Sequence, residues 1–363
     1  MKNTFGNNVT LTIFGESHGA AVGCVIDGIA SGIAVDETEI ARMLRLRRPS
    51  GEISTSRSEE DKFEILSGVF NGYTTGTPIC IMIPNKDVRS ADYSSVSHIA
   101  RPSHADYAAH VRYNGFEDYR GGGHFSGRLT SALVAAGGIL IPALNKKGIK
   151  IGTHIKSIAG VNDREFDKIE NDVSALSNLE FAVLDEKKAN EMKAKIIEAK
   201  NDGDSVGGVL ETAIIGIEAG VGEPWFDTIE GMLAHAVFSV PAVKGIEFGA
   251  GFALADIRGS ESNDEMRIVD GKVVTTTNNQ GGINGGITNG MPIIFKTAIK
   301  PTPTIAKEQD TIDYVNLTNE ALASKGRHDP CIVHRARIVI DSVAALVVAD
   351  CLAGKYGADW LAK

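Results

Sequence analysis

The chain has 363 residues, 43% of them hydrophobic and 23% charged, with a formal net charge of −9. That length allows one large domain or two ordinary ones with a sizeable core, and the acidic balance argues against wholesale nucleic-acid or membrane-surface binding, which favours basic chains. Four cysteines stand far apart with no Cys-x-x-Cys pair, which argues against a zinc or dithiol site.

The N-terminus, Met1 to Asn8, carries no apolar signal region, and no run of about 18 apolar residues suggests a membrane span; a reducing cytoplasm fits. Residues 9 to 14 (Val-Thr-Leu-Thr-Ile-Phe) alternate like a half-buried strand, and Val22 to Ile26 reads as the next. Between them Gly15-Glu16-Ser17-His18-Gly19 turns the chain and projects polar side chains from a strand end. Residues 36 to 48 read as a helix, with Asp36 and Glu39 resembling a capping box and Pro49 ending it. Its last turns carry Arg42, Arg45, Arg47 and Arg48. The helix dipole accounts for one or two of these; four in seven residues call for a partner anion, either acidic residues or a ligand. Residues 50 to 62, including Arg57, read as a polar, mobile loop. Strands are expected at Phe63–Phe70 and Ile79–Ile83, and an irregular stretch from Lys86 to Ser97.

Residues 101 to 131 are the densest segment. They hold His104, His110, His124, several arginines and the run Gly121-Gly122-Gly123, followed by an apolar helix from Leu129 to Leu144 with Ser126 at the N-cap position. A glycine loop feeding a helix N-terminus, flanked by Arg120 and Arg128, is suited to an anion; an ordinary loop with a capped core helix is the bland alternative. Further on, Ile149–Ile158 and Val206–Ile217 are strand-like, Asp185–Lys200 is a surface helix, and Pro224–Val240 suggests a helix. Asn278 to Gly286 is glycine-rich but lacks the Gly-Lys-Ser/Thr end of a phosphate loop; it reads as a floor for a flat ligand or as a plain hairpin. Ile293–Ile299 is a strand leading into Lys300-Pro301-Thr302-Pro303-Thr304, and Arg327-His328-Asp329-Pro330-Cys331 precedes an apolar helix, Ser342–Leu352. No Pro/Ser-rich linker divides the chain, which favours one integrated domain over residues 1–363.

The histidine-bearing loops admit three chemistries. Metal binding lacks His-x₃-His or His-Glu-x-x-His spacing, so no metal is expected. A serine triad of Ser17, His104 and Asp329 lacks a Gly-x-Ser-x-Gly elbow. Acid–base chemistry on a phosphorylated anion suits histidines that titrate near neutrality and arginines that grip phosphate and carboxylate.

Gly15–Gly19, residues 101–128 and Arg327–Cys331 resemble, in order, the three signature segments of the chorismate synthase family, as do Ile65–Gly68, Thr74–Thr77, Ala242–Gly245 and Gly281–Gly286. The resemblance covers nearly the whole chain. It implies an α+β fold, a β-α-β sandwich of the chorismate synthase type with helices between two antiparallel sheets, usually as a homotetramer. It implies a lyase that converts 5-enolpyruvylshikimate 3-phosphate to chorismate and phosphate by 1,4-anti elimination, needing reduced FMN, with NADPH as a possible flavin reductant. Carried over by position, His18 would protonate the departing phosphate, His104 the reduced flavin, and Asp329 would assist loss of the C6 hydrogen, with Ser17 and Ser126 beside the histidines. His124, Phe125, Ser126, Ala242, Gly285, Lys300, Pro301, Thr302, Pro303, Thr304 and Arg327 align with family flavin contacts. Arg47, Arg48, Arg57 and Arg128 are candidates for the substrate's phosphate and carboxylates. The segment His124-Phe125-Ser126-Gly127-Arg128-Leu129 lacks an arginine and an acid common in the family, which leaves a non-catalytic flavin- or phosphate-binding module as the alternative.

Overall fold

The computed structural model describes residues 2–55, 60–86, 98–324 and 329–363. Arg57, Arg327, His328 and most of the stretch expected to be irregular lie outside the described residues. In chain order the first half contributes strands β1 (Thr4–Phe5), β2 (Thr10–Gly15) and β3 (Ala21–Asp27), helix α1 (Glu37–Arg47), and strands β4 (Glu64–Ser67), β5 (Val69–Phe70), β6 (Tyr73–Thr74) and β7 (Ile79–Pro84). Helices α2 (Asp106–Tyr113) and α3 (Thr130–Lys146) follow. Next come β8 (Lys150–Ile158), β9 (Val161–Asn162), α4 (Ile169–Leu176), α5 (Glu186–Asn201), β10 (Gly208–Ile215), α6 (Ile229–Phe238) and β11 (Val243–Phe248). The short helix α7 (Gly259–Ser262) precedes hairpins β12 (Met266–Val269) with β13 (Lys272–Thr275) and β14 (Ile283–Asn284) with β15 (Ile287–Thr288). Strand β16 (Ile293–Ile299), hairpin β17 (Gln309–Asp313) with β18 (Thr318–Leu322) and helix α8 (Val333–Tyr356) complete the described strands and α-helices.

Among the described residues two five-stranded sheets form, in the orders β1-β2-β3-β7-β4 and β11-β16-β10-β8-β9, with antiparallel pairing throughout. Strand β7, Ile-Cys-Ile-Met-Ile-Pro, alternates buried and half-buried positions, so one face of the first sheet looks inward. Helix α3 packs on that face through β3 and β7, α8 packs on β8 and β10 of the second sheet, and the two helices pack on each other. Helices α3 and α8 therefore lie between the sheets, as the resemblance implies, and one hydrophobic cluster runs from Val9 to Ala353. Two mid-helix glycines let α3 approach its neighbours. A Cβ at Gly137 would fall 2.3 Å from Ser342 Oγ of α8, and one at Gly138 would fall 2.8 Å from Ile40 of α1.

Several expected boundaries shift for identifiable reasons. Helix α3 extends a stretch, Gly127–Lys146, that is long and apolar enough to cross a membrane, but 78% of that window is buried inside the protein. Helix α8 begins at Val333, nine residues before the expected Ser342, because Arg337 and Asp341 are buried as an ion pair that breaks the apolar pattern. Helix α6 is shorter than expected. Pro224 is extended, Trp225–Asp227 is a single 3₁₀ turn, and the Thr228 hydroxyl caps the helix through Gly231 N–H at 2.9 Å. The Phe63–Phe70 strand breaks at Gly68, whose φ is +80°. At α1, Asp36 accepts from Thr38 N–H at 2.9 Å, but Glu39 closes no capping box; its carboxylate holds Arg42 at 2.6 Å.

Candidate active site

The loop after β2 and the loop before α3 are built against each other. Ser17 N–H donates to Gly123 O at 3.0 Å, and His124 Nδ1 lies 2.8 Å from Gly15 O. Gly121, Gly122 and Gly123 all adopt positive φ, +59°, +83° and +52°, which only glycine does without strain. The reason is proximity. A Cβ at Gly121 would sit 2.7 Å from His18 Nε2 and 3.1 Å from Ser17 Oγ, and one at Gly122 would sit 3.3 Å from His104 Nε2. The glycine run thus brings His18, Ser17 and His104 to one bare stretch of backbone, with Ser126 also against Gly122. Ser126 Oγ accepts from Arg128 N–H at 3.3 Å, capping the 3₁₀ turn Gly127–Leu129 that runs into α3.

His104 is backed by Asp106, whose Oδ1 lies 2.7 Å from His104 Nδ1, while Arg101 Nε and Nη2 donate to the same carboxylate at 2.8 and 2.6 Å. Burial opposes ionisation of Asp106, but the Arg101 and His104 hydrogen bonds win and hold it well below the usual carboxylate range. With Nδ1–H engaged by Asp106, Nε2 is the ring atom turned to Gly122.

The arginines separate sharply. Arg120, expected to flank an anion, is held bidentately by Asp118 at 2.8 and 2.7 Å, and Arg42 by Glu39. Arg47 and Arg128 instead converge on Asp61, Arg47 through Nη2 at 2.7 Å and Arg128 through Nη1. Arg48 Nε stands 3.9 Å from the same carboxylate. Burial raises the cost of ionising Asp61, yet the guanidiniums of Arg47 and Arg128 overcome it and lower its pKa. Within the 50–62 stretch, read as a polar, mobile loop, Ser54 and Asp61 are buried. Asn85 ties the two groups together: its Oδ1 accepts from Arg128 Nε at 3.0 Å and its Nδ2 donates to Glu16 O and Gly19 O at 2.9 Å.

Asp329 joins from the other side. Its Oδ1 accepts from Thr55 N–H at 3.1 Å and its Oδ2 from Arg335 Nη1 at 2.5 Å. Arg335 Nε also donates to Arg47 O at 2.9 Å. Pro330 O accepts from Val206 N–H at 2.8 Å, and Ser205 Oγ donates to Thr302 O at 2.7 Å. Lys300 donates to Ser103 O at 2.6 Å, and its N–H to Ala242 O at 2.9 Å; burial and the nearby charge of Lys244 lower the Lys300 pKa. Hydrogen bonds and chain neighbours thus link the Glu16–Gly19 loop through Asn85, Arg128, Asp61, Arg47, Arg335 and Asp329 to Pro330 and Val206, and Ser205 through Thr302 and Lys300 to Ser103 beside His104. Phe125 reaches outward, edge-on to Tyr113 with ring centroids 6.0 Å apart. Gly285, in the β14–β15 turn, is placed apart: Gly286 O accepts from Ile229 N–H, and Gly222 beyond the far end of β10 packs on the same carbonyl. Ile214 pairs with Ile293 there, whereas Gly208 pairs with Ile299 beside Lys300.

Sequence reasoning missed Asp61, Asn85, Asp106, Thr55 and Arg335. Only Asp106 left a local signal, the His104-x-Asp106 spacing; the others act through contacts between distant segments. Among the described residues, no group of three His, Cys, Asp or Glu is placed to hold a metal ion.

Known proteins resemble this chain along its length. Residues 9–353 match the family described as chorismate synthase. A chorismate synthase of Pyrococcus abyssi is 48% identical over 345 residues, 95% of this chain and 96% of the relative. One from Archaeoglobus fulgidus is 47% identical over 350 residues, 96% of this chain and 97% of the relative, and one from Korarchaeum cryptofilum 45% over 354, covering 95% and 96%. A crystal structure of a chorismate synthase superposes with a TM-score of 0.74 at 30% identity, covering 98% of this chain and 94% of the other.

Proposed function

The chain belongs to the chorismate synthase family, and from that premise we propose how the linked loops carry out the family's reaction. The enzyme is a lyase that converts 5-enolpyruvylshikimate 3-phosphate to chorismate and phosphate by a 1,4-anti elimination. The observation that carries the site assignment is the meeting of His18, Ser17 and His104 on the Gly121–Gly123 backbone, next to a cluster in which three arginines face one aspartate. The substrate carries a phosphate and two carboxylates. Arg47, Arg48 and Arg128 bind and orient them, with Arg57 as a fourth candidate, each charge-assisted bond contributing about 1.5–3 kcal/mol.

A departing phosphate needs a proton, and we assign its delivery to His18 Nε2, the ring atom against Gly121. We assign the second proton transfer to His104 through Nε2, and Asp106 behind Nδ1 fixes the orientation of the ring. We assign Asp329 to the removal of the C6 proton; Arg335 and Thr55 N–H fix its carboxylate in place. Ser17 Oγ, buried and without a hydrogen-bond partner among the described residues, is a donor ready for ligand, as is Ser126 beside His104.

Reduced FMN, when bound, supplies transient electron density to the substrate so that phosphate can leave. The residues fit such a group. Lys300 offers a cation, Thr302 Oγ1 is buried with no partner among the described residues, and the glycine run bares its backbone to a flat ring. We assign His124, Phe125, Ser126, Ala242, Lys300, Pro301, Thr302, Pro303, Thr304 and Arg327 to holding it, with Gly285 a contact only if another subunit delivers it. Further proposals are one catalytic domain over residues 1–363, NADPH as the flavin reductant and a cytoplasmic location. A homotetramer is supported by the exposure of Phe226 (96%), Phe116 (92%) and Trp225 (84%). The test is anaerobic incubation with the enolpyruvyl substrate and dithionite-reduced FMN. Stoichiometric phosphate and chorismate are expected; FMN binding without phosphate release would leave only a binding module.

A further inference from the structure

Asp61 is an acid placed inside a site that must hold a substrate with three anionic groups. Its carboxylate is fully buried, with a side-chain exposure of 0%, and its backbone sits at φ +49°, a left-handed conformation that a non-glycine residue adopts under constraint. It draws Arg47 from the end of α1 and Arg128 from the entry to α3 onto its two oxygens, and it has Arg48 within ion-pair range. These arginines come from segments about 80 residues apart in sequence and share no other described carboxylate. Without Asp61, like charges packed side by side would push apart.

We propose that Asp61 is the positioning residue of the anion site: it gathers Arg47, Arg48 and Arg128 into one cationic cluster so that the spare N–H groups of Arg47 and Arg48 face the substrate. This rests on the substrate reading given above. A gathered cluster should leave donors to spare, and it does. Arg47 Nε and Arg48 Nε are buried and hydrogen-bonded to nothing among the described residues, although Arg47 is only 6% exposed. Buried donors without acceptors are rare in folded proteins. The cluster also keeps a net positive charge, three guanidiniums against one carboxylate, so it remains attractive to phosphate while being fixed in advance of binding. Asn85 relays the arrangement to the His18 loop through Arg128.

The experiment compares wild type with Asp61→Asn and Asp61→Glu. Steady-state kinetics with reduced FMN and calorimetric binding of the enolpyruvyl phosphate to the flavin-free protein are measured beside thermal melts. Positioning predicts that Asp61→Asn raises KM and the substrate Kd about 10- to 100-fold, with kcat falling less than KM rises. Asp61→Glu, which keeps the charge at a shifted place, should fall between the two. A purely structural aspartate would lower Tm and the active fraction while leaving KM and Kd of the folded molecules unchanged, and that result overturns the proposal. Should Asp61→Asn fail to fold, Asp61→Glu decides alone: an unchanged KM overturns the inference. If wild type itself neither binds nor turns over the substrate, the functional reading fails first, and the two failures are told apart.

Discussion

Asp61 and His154 are each buried among opposite charges, and their surroundings differ in one respect. Around Asp61, three guanidiniums face one carboxylate and buried N–H groups are left over. Around His154, on β8 of the second sheet, both ring nitrogens are engaged: Nδ1 lies 2.9 Å from Asp163 and Nε2 2.8 Å from Glu211. Asp163 in turn accepts from the backbone of Arg164, Leu184 and Asp185, so it ties β9 to the start of α5. The first network has unspent donors and the second has none to offer a ligand. Burial of charge is common to both; surplus is what separates a binding site from a structural joint.

The largest expected effects set the two networks apart by kind. His18→Ala should lower kcat about 10²- to 10⁴-fold, the range of a lost general acid, with little change in melting temperature. His154→Ala should do the reverse. It strands two buried carboxylates and should cost about 3–5 kcal/mol of stability, while the molecules that remain folded keep a normal KM. Denaturant melts and initial rates on both variants check this. A His154 variant that folds well but cannot turn over would erase the distinction.

Next in size is the pH dependence of stability. Burial works against the charged form of His154, but its hydrogen bonds to Asp163 and Glu211 prevail and raise its pKa above the usual 6.5. A raised folded pKa gives stability that is fully present below the unfolded value near 6.5 and is lost as pH rises through the folded value. His334 in α8 behaves oppositely. Burial, with Arg335 adding to it, pushes its pKa down to about 4. It is neutral in the fold, so stability present above about 6.5 is lost as pH falls towards 4, on the order of 3 kcal/mol across that window. Melting temperature against pH should show an alkaline limb that His154→Gln flattens and an acid limb that His334→Gln flattens; exchange of the two limbs between the variants would contradict the assignments.

Much of the active-site loop architecture was legible locally, because glycine runs and clustered histidines are written in consecutive residues. Gly121–Gly123 signalled a close approach, and the structure shows His18 and His104 as the groups approached. The arginines of α1 signalled a partner anion, but not which one. Asp61 sat in a run of serines and acids that looked solvated, and its partners lie 14 and 67 residues away. Helix α8 was half hidden for the same reason: Arg335, Arg337 and Asp341 interrupt its apolar pattern, and only the folded chain supplies Asp329, Leu179 O and Thr153 to satisfy them. The antiparallel sandwich came from family resemblance, since sheet order depends on pairings such as β3 with β7 that no period in the sequence encodes.

The smallest effect tests a pair that sits between the two networks in character. Ser54 Oγ lies 2.9 Å from His334 Nε2, both side chains buried, immediately behind Thr55 and Arg335, which hold Asp329. The pair is neutral at pH 7, given the low pKa of His334, so it has neither the guanidinium charge of the Asp61 cluster nor the ion pairs of His154, although His334 Nδ1 is buried without a hydrogen-bond partner among the described residues. Ser54→Ala should therefore cost about 1 kcal/mol, the net worth of one neutral buried hydrogen bond, and leave kcat/KM nearly unchanged. Arg335→Lys, which loses the fork that grips both Asp329 and Arg47 O, should instead reduce kcat by more than it lowers stability. If Ser54→Ala cut turnover as deeply as Arg335→Lys, the Ser54–His334 pair would have to be counted as part of the apparatus that places Asp329.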